Sequence, residues 1–121
     1  MSMKFQFKEA YSLEERKAEY EKVVQEHPGK IGIICERAPK SHIEEIKKTK
    51  YLISEEIKLG QFSEIIRRKI KMDKEAAIFL LANGKISLTG DETMIEIYKK
   101  YKDEDGFLYI AYASEEVWGK I

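Results

Sequence analysis

At 121 residues, the chain fits one domain, and 43% hydrophobic content suffices for a core. Net charge is zero, which argues against a general nucleic-acid binder. The longest apolar run falls far short of the roughly 20 residues of a membrane span.

In chain order, Phe5, Phe7 and Ala10 suit either a short helix or an extended arm. MSMKFQFKEA alternates and carries charge, which is not the pattern of a signal peptide. Ser12 and Glu15 have capping-box spacing and predict a helix start. Leu13, Tyr20, Val23 and Val24 supply its apolar positions, and His27-Pro28-Gly29 ends it. Ile31-Gly32-Ile33-Ile34-Cys35 reads as a strand stopped by Pro39. The segment from Lys40 to Lys50 is polar and predicts no regular element, and Tyr51-Leu52-Ile53 is a second short strand.

Phe62, Ile65, Ile66 and Ile70 form one helical stripe, with Arg67, Arg68, Lys69 and Lys71 where cations complement the helix dipole. Ala76 to Leu81 is a continuous apolar run, expected to be a strand covered on both faces. Asn83-Gly84 signals a turn, and Ile86 to Leu88 the returning strand. A helix is expected from about Glu92 to Tyr101, with Asp91 as its cap. Asp103-Glu104-Asp105-Gly106 reads as a turn rather than a calcium loop, because the other ligands of such a loop are missing. Phe107 to Ala113 is the last strand. This order predicts an α+β roll, a mixed sheet with helices on one face, of the ubiquitin-like β-grasp kind with extra N-terminal helices. Residues 1–28 form the helical extension and 29–121 the β-grasp, as one structural unit.

Charge is unevenly spread. Residues 31–74 are basic by four and residues 75–121 acidic by four. The basic middle suits an acidic peptide, although mixed charge also fits a plain solvated surface. The single cysteine, Cys35, has no internal disulfide partner, which suits a reducing compartment; its apolar strand reads as a buried, inert thiol. His27 and His42 are far apart and show no ligand spacing. Phosphate loops and hydrolase or metalloprotease motifs are absent, so an enzyme is disfavoured and no catalytic residue, metal or cofactor is expected.

Four blocks occur in order: KIGIICERAPK, KKTKYLI, LGQFSEIIRRKI and KDEDGFLYIAYASEEVWG. Together they closely resemble the autophagy ubiquitin-like modifiers, the group of the GABA type A receptor-associated protein and the microtubule-associated protein light chain. The match runs from about Met3 to Gly119. The resemblance implies a modifier whose C-terminal tail is removed by a cysteine protease. Ubiquitin-type E1 and E2 enzymes then pass the exposed glycine to phosphatidylethanolamine, and the lipidated protein recruits cargo receptors on autophagic membranes. The implied scissile bond is Gly119–Lys120, with Trp118 as the handle before the cut; relatives usually carry Phe or Tyr there. A backbone without a Cβ fits a narrow enzyme channel. A frayed terminus is the plain alternative reading of a glycine so near the end. The implied location is the cytoplasm, and the autophagosomal membrane after lipidation.

The resemblance also implies a groove for acidic aromatic-x-x-aliphatic peptides, which add as a strand to the sheet edge. Its aromatic pocket maps to Glu19, Val23, Ile34, Lys50, Leu52 and Phe107, and its aliphatic pocket to Tyr51, Ile53, Ile57, Phe62 and Ile65. Lys48 and Lys50 face the peptide's acids, with Lys30 and Lys69 as further cations. The apolar members equally suit an ordinary core. The lysines flanking Tyr51 to Ile53 also protect an edge strand from aggregation. Gly32 and Ser54 stand where relatives usually have proline. Gly32 is expected to loosen the aromatic pocket's wall, and Ser54 to make the aliphatic rim more polar. A non-conjugated adaptor that only binds peptides is the alternative function.

Overall fold

The structure, a computed structural model, describes residues 3–39, 41–71 and 76–114. Helices α1 (Gln6–Ala10) and α2 (Leu13–Glu26) lead into strands β1 (Lys30–Arg37) and β2 (Lys50–Ser54). Then come α3 (Leu59–Ile70), β3 (Phe79–Ala82), β4 (Ile86–Ser87), α4 (Met94–Tyr101) and β5 (Leu108–Ala113). The sheet order is β2-β1-β5-β3-β4. β1 and β5 run parallel in the middle, and the other pairs are antiparallel. The α+β expectation holds.

Local chemistry explains several boundaries. The Ser12 hydroxyl accepts from the Glu15 N–H at 3.2 Å, and the Glu15 carboxylate accepts from the Ser12 N–H at 2.9 Å. The α4 cap differs from expectation. Thr93, not Asp91, is the cap, and it completes a capping box with Glu96. Asn83 and Gly84 both adopt positive φ, 56° and 72°, as the tight turn into β4 requires. The Ala76–Leu81 run is only partly a strand. Pairing begins at Phe79, and Ala77 is exposed, so the segment before it is not covered on both faces.

α1 has no side-chain cap of its own. Instead Glu36 of β1 accepts from the N–H groups of Gln6 and Phe7 at 2.7 and 3.1 Å. A carboxylate at a helix N-terminus satisfies orphan donors and complements the dipole. The short-helix option is thus realised through a partner 30 residues away.

Helices cover both faces of the sheet, which corrects the one-face expectation. On one face Ile31, Ile33, Tyr51, Ile53 and Tyr112 of the sheet pack with Phe62 and Ile66 of α3 and Ile97 of α4. On the other, Ile34, Phe107, Tyr109 and Ala111 pack against Phe5, Phe7 and Tyr20 of the N-terminal segment. Alternation along β1 and β5 directs successive side chains to the two cores, so both strands are buried almost throughout.

The Asp103–Gly106 turn is more than a connection. The Asp105 side chain is fully buried. It accepts from Arg16 Nε at 2.8 Å, the Phe107 N–H at 2.8 Å and the Tyr109 hydroxyl at 2.5 Å. Arg16 also donates to the Tyr11 carbonyl, and Lys8 bridges to Asp103 at 2.6 Å. Burial, reinforced by the Asp105 carboxylate, pushes the Tyr109 phenol well up, so it remains a donor. The turn therefore ties α1 and α2 to the start of β5.

Candidate functional site

β2 stands at one end of the sheet, and β1 is its strand partner. Among the described residues no further strand pairs with its outer edge, the geometry that strand addition uses. The register sets Ile34 opposite Lys50 and Gly32 opposite Leu52, while Ile33 faces Tyr51 and Ile31 faces Ile53. These pairs alternate between the faces. Lys50 and Leu52, both half-buried, point to the α2 side. Tyr51 and Ile53 point into the α3 core, where Tyr51 meets Phe62 edge to face at 6.1 Å.

The residues assigned to the two pockets separate in the same way. Ile34 and Phe107 belong to the α2-side core. Glu19 joins them by its ion pair with Lys50 at 2.6 Å. Val23 is buried on α2. Tyr51, Ile53 and Phe62 belong to the α3-side core, with Ile57 and Ile65 half-buried against it. Only part of this set offers surface. Phe62, Ile34 and Phe107 are fully buried and act as floor rather than as contact surface. Glu19, Lys50, Leu52, Ile57 and Ile65 retain exposure.

The cations are less free than the sequence suggests. The hydrogen bond from Lys50 holds Glu19 below the ordinary carboxylate range. Lys48 Nζ lies 5.0 Å from the centre of the Tyr51 ring, and the Tyr51 hydroxyl donates to the Lys48 carbonyl at 2.8 Å. Lys69 is exposed in the last turn of α3. Lys30 pairs with Ser54, at the opposite end of β2 from Lys50, so it does not join the Lys48–Lys50 cluster.

The expectation for Gly32 needs correction. A Cβ there falls 2.8 Å from the Phe107 ring, so that ring fills the space and the wall is not loose. Sequence reasoning also missed Tyr20, which meets Phe107 edge to face at 5.0 Å. Beyond the Glu19–Lys50 pair, a groove of about 440 Å³ opens between α1, α2 and β2, lined by Phe7, Tyr11, Ala18, Glu19, Lys22 and Lys50. Its signal in the sequence is the i, i+4 spacing of Phe7 on α1 and Tyr11 at the C-cap of that helix.

Gly119 and Trp118 lie outside the described residues. Among the described residues no group of three or more His, Cys, Asp or Glu gathers to hold a metal. No described helix is long and apolar enough to cross a membrane. Burial raises the Cys35 thiol far above its ordinary range, so it stays protonated.

A five-stranded mixed sheet with parallel central strands, α3 and α4 on one face and two helices added on the other, defines a ubiquitin-like protein. Its relatives are specific. Residues 15–119 match the family model described as "Autophagy protein Atg8 ubiquitin like". Autophagy-related protein 8 of Kluyveromyces lactis is 44% identical over 97% of this chain and 94% of its own length. That of Mycosarcoma maydis is 41% identical over 98% of this chain and 100% of its own. The crystal structure of Trypanosoma brucei ATG8 superposes with a TM-score of 0.87 at 35% identity, covering 93% of this chain and 97% of the other. The chain belongs to the Atg8 family of ubiquitin-like autophagy proteins.

Proposed function

We propose that this chain is a conjugated modifier of autophagy rather than an enzyme. A cysteine protease hydrolyses the Gly119–Lys120 bond. A ubiquitin-type E1 enzyme activates the freed Gly119 carboxylate with ATP as an acyl adenylate, its thiol displaces AMP to give a thioester, and thiol exchange passes the acyl group to an E2 enzyme. The amine of phosphatidylethanolamine displaces the E2 thiol and forms an amide. The membrane-bound domain then recruits receptors whose acidic aromatic-x-x-aliphatic peptides add to β2.

One observation carries the peptide reading. In a β-strand, residues three apart point to opposite faces. An added strand with an aromatic residue and an aliphatic one three positions later therefore needs one pocket on each face of the sheet edge. The assigned residues divide in that way, Lys50, Leu52 and Phe107 on the α2 side and Tyr51, Ile53 and Phe62 on the α3 side. A peptide parallel to β2 meets the Lys50 end first, which sets its preceding acids against Lys48 and Lys50. An acid there competes with Glu19 for Lys50.

The test of conjugation is Gly119→Ala. Tail removal and lipid attachment are expected to be lost while the unfolding temperature stays that of the wild type. Normal lipidation of this variant refutes the conjugation route. A wild-type chain that binds peptide but is never cut is instead a plain adaptor.

A further inference from the structure

We infer that Tyr20 sets the size of the aromatic side chain accepted on the aromatic side of the β2 groove, and that this chain favours a phenyl group there over an indole. The inference rests on the peptide-groove reading above.

The floor of that side is the Phe107 ring, which is held from several directions. It leans over Gly32, where a Cβ falls 2.8 and 2.9 Å from Cε1 and Cδ1 of the ring. Gly32 is opposite Leu52 in the strand register, so the ring takes up space directly beside the groove. Tyr20 backs the ring edge to face at 5.0 Å, and Phe7 does so at 5.3 Å. Tyr20 also approaches β1 directly, its Cε1 3.8 Å from the Cβ position of Gly32.

Tyr20 is fixed in turn. It lies across Gly106, where a Cβ falls 2.5 Å from its ring, so only glycine admits it there. It stacks on Tyr98 with centroids 6.2 Å apart and planes 12° from parallel, and the Tyr98 hydroxyl donates to the Gly106 carbonyl at 2.7 Å. Close-packed interiors yield little volume on demand. Phe107 has no free direction of retreat while Tyr20 stands behind it. The opening left beside Glu19, Lys50 and Leu52 thus admits a small ring more readily than a fused one.

The test uses the full chain and two synthetic peptides with the same acidic flank and the same final leucine, carrying Trp or Phe at the first motif position. Titration calorimetry on the wild type is expected to show the Phe peptide binding about fivefold or more tighter than the Trp peptide, within the range for a misfit in an apolar pocket. Tyr20→Ala is expected to improve Trp relative to Phe by about tenfold, and Tyr20→Phe to keep the wild-type order. Circular dichroism checks folding. If Tyr20→Ala does not fold, Tyr20→Val takes its place, and the wild-type ranking decides in either case. Wild-type preference for Trp, or an order unchanged in the folded small-residue variant, overturns the inference and leaves the groove standing. Failure of both peptides to bind the wild type overturns the groove reading and this inference with it.

Discussion

Asp105→Ala removes the carboxylate that joins the N-terminal helices to β5. The wild-type group is fully buried, and its Arg16 partner is only 11% exposed. Truncation leaves the guanidinium, the Phe107 N–H and the Tyr109 hydroxyl without their acceptor. Breaking a buried pair from one side costs roughly 3–5 kcal/mol, mostly through the charge left behind. Arg16 sits close enough to the surface to swing partly into water, which favours the lower end, about 3 kcal/mol. For a domain of this size each kcal/mol moves the melting temperature by about 3–5 °C, so a fall of about 10 °C is expected. Thermal unfolding followed by circular dichroism measures it. A double-mutant cycle with Arg16→Leu separates the pair's coupling, because removing both partners should destabilise by less than the two single losses combined. A melting temperature within about 2 °C of the wild type for Asp105→Ala refutes the assignment of this turn as a tie between helices and sheet.

Gly106→Ala meets both a φ of +104° and the Tyr20 ring, and a loss of about 2–3 kcal/mol is expected in denaturant unfolding. Leu52→Ala and Lys50→Glu should each weaken an acidic aromatic-x-x-aliphatic peptide, the former by roughly 1–3 kcal/mol, as read by calorimetry. Unchanged affinity for both variants puts the groove elsewhere. Lys50→Ala should barely alter stability, because the Lys50–Glu19 pair is exposed at 41% and 37% and such pairs contribute about 0–1 kcal/mol. Alkaline titration offers a further check. Burial raises the phenols of Tyr51 and Tyr112 to about 12, from an ordinary value of 10.0. The folded state therefore holds these protons longer than the unfolded state, and stability falls as pH rises from about 10 to about 12. Phenolate absorbance and circular dichroism should change together in that window. Ionisation of Tyr51 and Tyr112 near pH 10 with the fold intact contradicts their burial.

Local signals in the sequence carried most of the element order. The Ser12–Glu15 box, the Phe62–Ile70 stripe and the Asn83-Gly84 turn each depend on neighbours within a few residues, so their chemistry is visible in one dimension. Thr93 was equally legible, because Thr93 and Glu96 have capping-box spacing, but the acidic Asp91 drew the assignment. α1 was not decidable, since its cap is Glu36 on another element. Asp105 looked like any acidic turn residue, and only tertiary contacts give it a buried role. The same holds for Tyr20, whose partners Gly106, Phe107 and Tyr98 come together only in the folded chain. The groove residues were reached through family resemblance. Their apolar pattern alone fits a core, and Phe62, Ile34 and Phe107 are indeed core.

The most direct measurement is the intact mass of the purified chain before and after incubation with cytosol of its own source, phosphatidylethanolamine and ATP. Loss of Lys120 and Ile121, followed by gain of one lipid, is the expected result and fixes Gly119 as the conjugated carboxylate. An unchanged mass, while a related modifier is processed in the same extract, contradicts conjugation.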